Sequence, residues 1–470
     1  MPGRLKIDIG AAPPPLRRQS RGPLRLLLIG DFSARPPGQR PPLAQRPTLR
    51  VDVDNLDTAL RRLAPRAATA AAGTIAFDSI DDFHPDALYR RLDGFAALRR
   101  RRDEAGDPQR LAQIAPAAAA GGAPGADLLA GLLGGRPAGS SAAQPAHRGT
   151  DSGGAAVEAL LRAAVAPHVV PDFSGAQALL LAGVDAAVTA LMRSILHDAA
   201  FQALESAWRG VQWLIQNLEL DEQLELHLFD ATREELVADI VSQRGELART
   251  GVHQALADRW RGLPDEQGWS MLAGLDRYGP GDADIGLLAA LGLIAAAAGG
   301  PFVAGAELAL AGAATAGAGW PALRRSEAAP WLGLAAPRLL LRLPYGQAHD
   351  PVESFAFEEF DGVPAHEQLL WGTGSLAVAL LAGRGFMARG WGMELGDERE
   401  IGDLPAYSVI RDGERELQAC AEHYLGEQGA QALLEAGLMP LVSHRHRNAV
   451  TLPRLQSVAE PAQALRFGAA

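Results

Sequence analysis

Ala, Gly, Pro and Ser dominate residues 106–155, and this stretch divides the chain into two separately patterned parts. Apart from Leu128-Leu129 and Leu132-Leu133 it has no apolar period, so it cannot supply a core face and reads as a linker. Roughly 50 flexible residues span about 40 Å root-mean-square. That reach suits an intramolecular or a neighbour-to-neighbour arrangement, and length alone leaves both open. A chain of 470 residues suggests two or three domains. The expected division is a flexible tail at 1–22, a segment at 23–105, the linker at 106–155, a larger domain at 156–456 and a tail at 457–470.

In the first part, Arg25 to Ile29 is a short apolar run stopped by Gly30-Asp31, which predicts a buried strand and a turn. Arg35 to Pro47 is proline-rich loop. Asp54 or Asn55 can cap a helix carrying Leu56, Leu60 and Leu63, which Pro65 stops. Thr74 to Phe77 is a second strand. After Pro85, the residues Leu88, Leu92, Phe95 and Leu98 predict one helix face, with Arg99 to Arg102 at its C-terminal end.

In the second part, Val157, Leu160, Leu161 and Val165 predict a short helix. A long helix follows over Val184 to Leu218, where Phe201, Leu204, Trp208, Val211, Ile215 and Leu218 keep a three-four spacing. Leu224, Leu226 and Leu228 alternate as in a strand, and Thr232 with Glu235 forms a capping box for the next helix. Ile285 to Ala306 lacks charge for 22 residues, but Gly299-Gly300-Pro301 breaks it, which predicts a buried helix running into a core strand. This alternation predicts an α/β fold, a mixed sheet with flanking helices, plus a small α/β N-terminal segment.

Formal net charge is −11, so the chain as a whole does not invite nucleic acid. Residues 1–110 carry +7 and the rest −18, which favours attraction between the two parts. Lys6 is the only lysine, against 43 arginines. A phosphate loop of the GxxxxGK[ST] type and a usable Schiff-base lysine are therefore excluded. Cys420 is the only cysteine, so no internal disulfide or thiolate cluster can form, which suits a reducing cytoplasm. No apolar signal core follows the first 25 residues.

The remaining motifs read as structural. Gly372-Thr373-Gly374 fits close helix packing better than a dinucleotide turn. His366-Glu367 lacks the second histidine of a zinc helix, and His444-Arg445-His446 with His423 or Cys420 reads better as a solvated strand end than as a metal site. Asp81, Asp82 and Asp86 around His84 read as helix N-terminal acids. Glu205, Trp208 and Arg209 share adjacent turns of one helix, pointing to a salt bridge beside a core tryptophan. Arg338 and Arg342 lie in an apolar run, and buried arginines need carboxylates, for which Glu358 and Glu359 are the candidates. Together with Tyr345 and Trp371 these residues form the expected structural or assembly set. No catalytic centre, cofactor or metal is expected.

Two stretches resemble a known family. Arg25 to Phe32, then Val51 to Asp57 and Asp82 to Asp86, resemble the small subunit of the type VI secretion contractile sheath, over about residues 23–105. From His197 to about Gln456 the chain resembles the large sheath subunit. That likeness rests on Phe201 to Gly210, Pro337 to Gly346, Phe355 to Glu359, Leu370-Trp371-Gly372, Phe386 to Trp391 and Asp403-Leu404-Pro405. The resemblance implies a contractile-sheath-like fold and a structural, cytoplasmic role without membrane insertion. It implies as partners other sheath subunits, the inner tube protein and the disassembly ATPase or baseplate.

Two departures accompany the likeness. The chain stops at Ala470 where the large subunit continues, and 392–402 is acidic where the family is glycine-rich. The expectation is therefore a fused small/large subunit that joins or caps a tube, alone staying monomeric or forming small oligomers. A sheath-derived binding or regulatory module that never polymerises is the alternative. A third reading, an enzyme on this scaffold, has no residue constellation behind it.

Overall fold

The computed structural model describes residues 22–36, 38–106, 174–260, 268–312, 318–364, 368–411 and 414–467. The linker, the N-terminal tail to residue 21 and the short helix at 157–165 lie outside them. The chain divides into two compact units, one of Met1–Leu88, Arg193–Val352 and Glu358–Ala470, the other of Tyr89–Met192 and Glu353–Phe357.

The larger unit is α/β and is built on a seven-stranded mixed sheet. Its strands are β1 (Leu24–Gly30), β2 (Leu49–Val51), β3 (Leu224–Asp230), β4 (Met271–Tyr278), β5 (Phe302–Ala306), β6 (Leu332–Ala336) and β7 (Met439–Pro440). Their spatial order is β7-β6-β5-β4-β1-β3-β2. All neighbours run parallel except β2 on β3. The N-terminal strand is thus an inner strand, with Leu26 opposite Leu226 on one side and Met271 on the other. Being covered on both sides explains why β1 reads as a continuous apolar run instead of an alternating one. Across the β1–β3 register Arg25 faces Glu225, and the two side chains pair at 2.9 Å.

Helices flank the sheet. Asp282–Ala298 is buried along most of its length and leads directly into β5, as its composition predicts. Gly299 ends it at φ +97°, where its N–H reaches the carbonyls of Ala295 and Ala296, a left-handed stop that favours glycine. Gly374–Arg389 packs on β4, β5 and β6. A Cβ on Gly374 would lie 2.8 Å from that of Ala335, so close packing accounts for this glycine-rich turn.

Four expectations need correction. The helix expected over Val184 to Leu218 is two helices, Ser174–Leu196 and Ala199–Asn217. Asp198 lies extended between them, and its carboxylate accepts from the N–H groups of Ala200 and Phe201, capping the second. The helix expected after Pro85 is likewise broken, into Pro85–Arg91 and Ala96–Gly106 with a 3-10 turn at Asp93–Phe95. Arg99 to Arg102 therefore lie in the middle of a new helix and not at the end of an old one. Finally, residues 457–467 are not a loose tail. The Val458 N–H bonds Leu332 O at 2.9 Å, and Val458 is fully buried.

In the smaller unit, Arg102 of Ala96–Gly106 pairs with Asp185 at 2.9 Å and donates to Ser354 O at 2.7 Å. Tyr89 packs on Phe355 with ring centroids 4.8 Å apart. Among the described residues one stretch, Gln177–Leu196, is long and apolar enough to cross a membrane by length and composition.

Candidate functional site

The helix Ala199–Asn217 places Glu205, Trp208 and Arg209 on adjacent turns, as its spacing predicts. Trp208 is fully buried and donates its indole N–H to Phe32 O at 2.9 Å. Phe32 also meets its ring edge-on at 5.7 Å. Glu205 has no solvent exposure, and a buried carboxylate needs cations and donors around it.

Arg342 supplies them. Its Nε and Nη2 donate to Glu205 at 2.8 and 3.2 Å, and its Nη1 and Nη2 donate to Glu359 at 2.8 and 3.3 Å. One guanidinium thus forks two carboxylates, which its planar donor set suits. It also lies 4.2 Å over the Tyr345 ring. The Tyr345 N–H donates to Glu359 at 2.9 Å, and Arg209 donates to the Tyr345 hydroxyl at 3.0 Å. Arg209 lies 3.5 Å from Glu205, and His197 lies 3.4 Å from Glu359.

The electrostatics follow from this packing. Burial alone raises the Glu359 carboxyl, but the Arg342 charge and hydrogen bonds from Arg342 and the Tyr345 N–H, with the His197 ring 3.4 Å away, outweigh it and hold Glu359 at about 2. Burial depresses Arg342, yet Glu205 and Glu359 more than reverse this and keep it charged. Burial and the Glu205 charge push the Tyr345 hydroxyl upward, so it remains a neutral donor and acceptor. Two carboxylates and two guanidiniums balance, and the arrangement works as a rigid joint between a helix and two loops.

Of the candidate pairs among Arg338, Arg342, Glu358 and Glu359, Arg342 with Glu359 forms, while Arg338 and Glu358 take other partners. Arg338 forks Glu422, at 2.9 and 2.6 Å, and does not meet Glu358 or Glu359. Glu358 instead accepts from the Gln347 N–H at 3.1 Å. The physical reason is distance, because residues four apart on extended chain lie about 13 Å apart, so Arg338 and Arg342 meet different partners and Arg338 finds Glu422. Trp371 is buried, yet it stands outside the charge cluster, and its backbone oxygen accepts from Ser206 at 2.8 Å.

A second buried cluster was not legible in the sequence. Arg40 and Arg46, from the proline-rich loop, are both buried. Arg40 reaches Asp31 at 2.6 Å and Glu235 at 3.3 Å, while Arg46 reaches Glu235 and Asp230 O, both at 2.8 Å. Glu235 was visible only as a capping residue, and nothing local signals that arginines 189 and 195 positions away share it. His444 bonds Thr451 at 2.8 Å, and among the described residues no group of three His, Cys, Asp or Glu could hold a metal ion.

The N-terminal strand is built into the sheet of the rest of the chain, and buried ion clusters lie on either side of that join. The family model described as VipB (EvpB/VC_A0108, tail sheath N-terminal domain) matches residues 179–319 and 312–459, more than half of the chain, and the protein belongs to that family. A second family model, described as type VI secretion system, VipA, VC_A0107 or Hcp2, matches residues 4–109. The chain therefore joins small-subunit-like and large-subunit-like sheath segments.

Two relatives from Pseudomonas aeruginosa agree. The type VI secretion system sheath protein TssC1 is 30% identical over 308 residues, 60% of this chain and 61% of that protein. The sheath protein TssB1 is 30% identical over 86 residues, 16% of this chain and 50% of that protein. The chain thus spans less than two thirds of either relative.

Proposed function

We propose that this protein is a structural component of a type VI secretion contractile sheath, a fused small/large subunit that joins or caps the tube and has no catalytic role. The observation that carries this reading is β1. A strand from the segment like the small subunit lies between two strands of the segment like the large one, in a single chain. The pair then enters an assembly as one piece. An end or accessory position is supported by the sheet's outer strands. β2 has three residues, and β7 has two, one of them Pro440. Short, proline-bearing edges offer little for another chain to pair with.

The proposed partners are other sheath subunits, the inner tube protein and the disassembly ATPase or baseplate, and the proposed location is the cytoplasm. Membrane insertion of Gln177–Leu196 is disfavoured by Asp185 at mid-helix, a costly charge in lipid. The same blunt edges favour one other reading, a sheath-derived binding or regulatory module that never polymerises. Electron microscopy of the purified chain, alone and with ordinary sheath subunits, tests both. Tube ends or tube walls carrying this chain support the first reading. Tubes that exclude it leave the second, and long contractile tubes of this chain alone refute both.

A further inference from the structure

A cavity of about 550 Å³ lies at the carboxyl ends of β1 and β4, lined by Asp31, Asp276 and Arg277 there. In open parallel sheets this is where ligands collect. Ala203, Leu376 and Trp371 contribute to largely apolar walls, while Arg66 and Arg338 add charge. A few polar groups on an apolar concavity is the usual make-up of a ligand site.

The charges are not all engaged. Arg338 is committed to Glu422 and Asp31 to Arg40. Among the described residues the Arg277 side chain reaches only the Glu422 oxygen already facing Arg338, at a long 4.0 Å. Arg66 makes no side-chain ion pair among the described residues. That leaves two guanidiniums with spare donors, against a single carboxyl, Asp276, which has no hydrogen-bonding or ion-pair partner among the described residues. We propose that this cavity binds a carboxylate borne on a short apolar chain, its oxygens taken by Arg66 and Arg277 and its chain lying along the alanine and leucine walls.

The guanidinium fork suits a carboxylate, and the surplus of one cation in the lining favours an anion. Asp276 adds a pH dependence. Burial, assisted by the Glu234 and Asp31 charges and opposed by Arg233, pushes it up to about 6. Ionised, Asp276 repels the ligand, whereas protonated it can donate to it, so binding tightens as pH falls through 6. The carboxylate could come from a free acid or from an Asp or Glu side chain of another chain. The inference rests on the cavity and holds whether or not the protein joins a sheath.

The probe is hexanoate, titrated into the full chain by calorimetry at pH 7.5 and 5.5, with hexylamine as the matched cation. The expected result is saturable hexanoate binding, about fivefold tighter at the lower pH, and none for hexylamine. Arg66→Gln with Arg277→Gln should weaken it about tenfold or more. Ala203→Trp, which fills the cavity from an exposed helix position, should do the same without touching the core. Preferential binding of hexylamine, or hexanoate binding indifferent to these variants in folded protein, overturns the proposal. Light scattering with and without hexanoate separates the sources. Dispersal of larger species identifies a carboxylate on another chain, and unchanged size with binding identifies a free acid.

Discussion

The indole N–H of Trp208 donates to the backbone oxygen of Phe32 at 2.9 Å, tying a helix of the large-subunit-like segment to the turn after β1. Both residues are fully buried. Trp208→Ala should cost about 3–5 kcal/mol through the cavity it leaves. Trp208→Phe keeps most of the ring but orphans the Phe32 oxygen, at about 1–3 kcal/mol. Denaturant unfolding of both variants measures this, and an unchanged midpoint for Trp208→Ala would show that the helix is no core element.

Arg342 stands between two buried carboxylates, so removing it leaves Glu205 and Glu359 with only Arg209 to offset their charge. Arg342→Met should destabilise by about 3–5 kcal/mol. Arg342→Lys should recover only part, because an ammonium cannot fork two carboxylates. Adding Glu205→Gln and Glu359→Gln to Arg342→Met should restore stability, since the charges that needed pairing are gone. A triple variant less stable than Arg342→Met would contradict the pairing.

Acid should unfold the protein through the same cluster. Glu359 is held at about 2, below its ordinary value of 4.5. Its stabilisation, about 3 kcal/mol, is full above the unfolded value and is lost as pH falls from about 5 towards 2. This is the Arg342 interaction seen from its other partner, and the two are not additive. Asp276 runs the opposite way, because its raised value favours the folded state as pH drops through about 6. Thermal melts should therefore show stability level or rising from pH 7 to 5 and falling below 4. The acid loss should shrink in Glu359→Gln, and a steady decline from pH 7 would be inconsistent with both assignments.

Cleaving the chain within 106–155, near Gly121, should leave fragments that elute together. β1 is hydrogen-bonded to β3 and β4, and Arg25, Arg40 and Arg46 of the first fragment pair with Glu225 and Glu235 of the second. An Asp at Leu27, a fully buried position in β1, should separate them. Fragments of the unmodified chain that elute independently on a sizing column would sink the fused-pair reading.

The α/β class, the strand at Leu24 to Ile29, the capping box at Thr232 and Glu235, and the buried helix running into β5 were all legible locally. Each depends on apolar period or on hydrogen bonds a few residues long, which neighbouring residues dictate. The Glu205–Arg209 proximity was legible for the same reason, as one turn of helix fixes it. The break at Asp198 was missed because an aspartate inside an apolar period looks like one polar position until its carboxylate turns to cap the next helix.

Strand order and charge pairing lay beyond local reading. Nothing near Leu24 to Ile29 says that this run becomes an inner strand between β3 and β4. Hydrogen bonds between strands carry no residue code, and the choice follows from which faces the whole chain must bury. Sequence could require that Arg338 and Arg342 find carboxylates, because burying an unpaired guanidinium is prohibitive. Only the return path of the chain decided that Arg338 meets Glu422 while Arg342 is shared by Glu205 and Glu359.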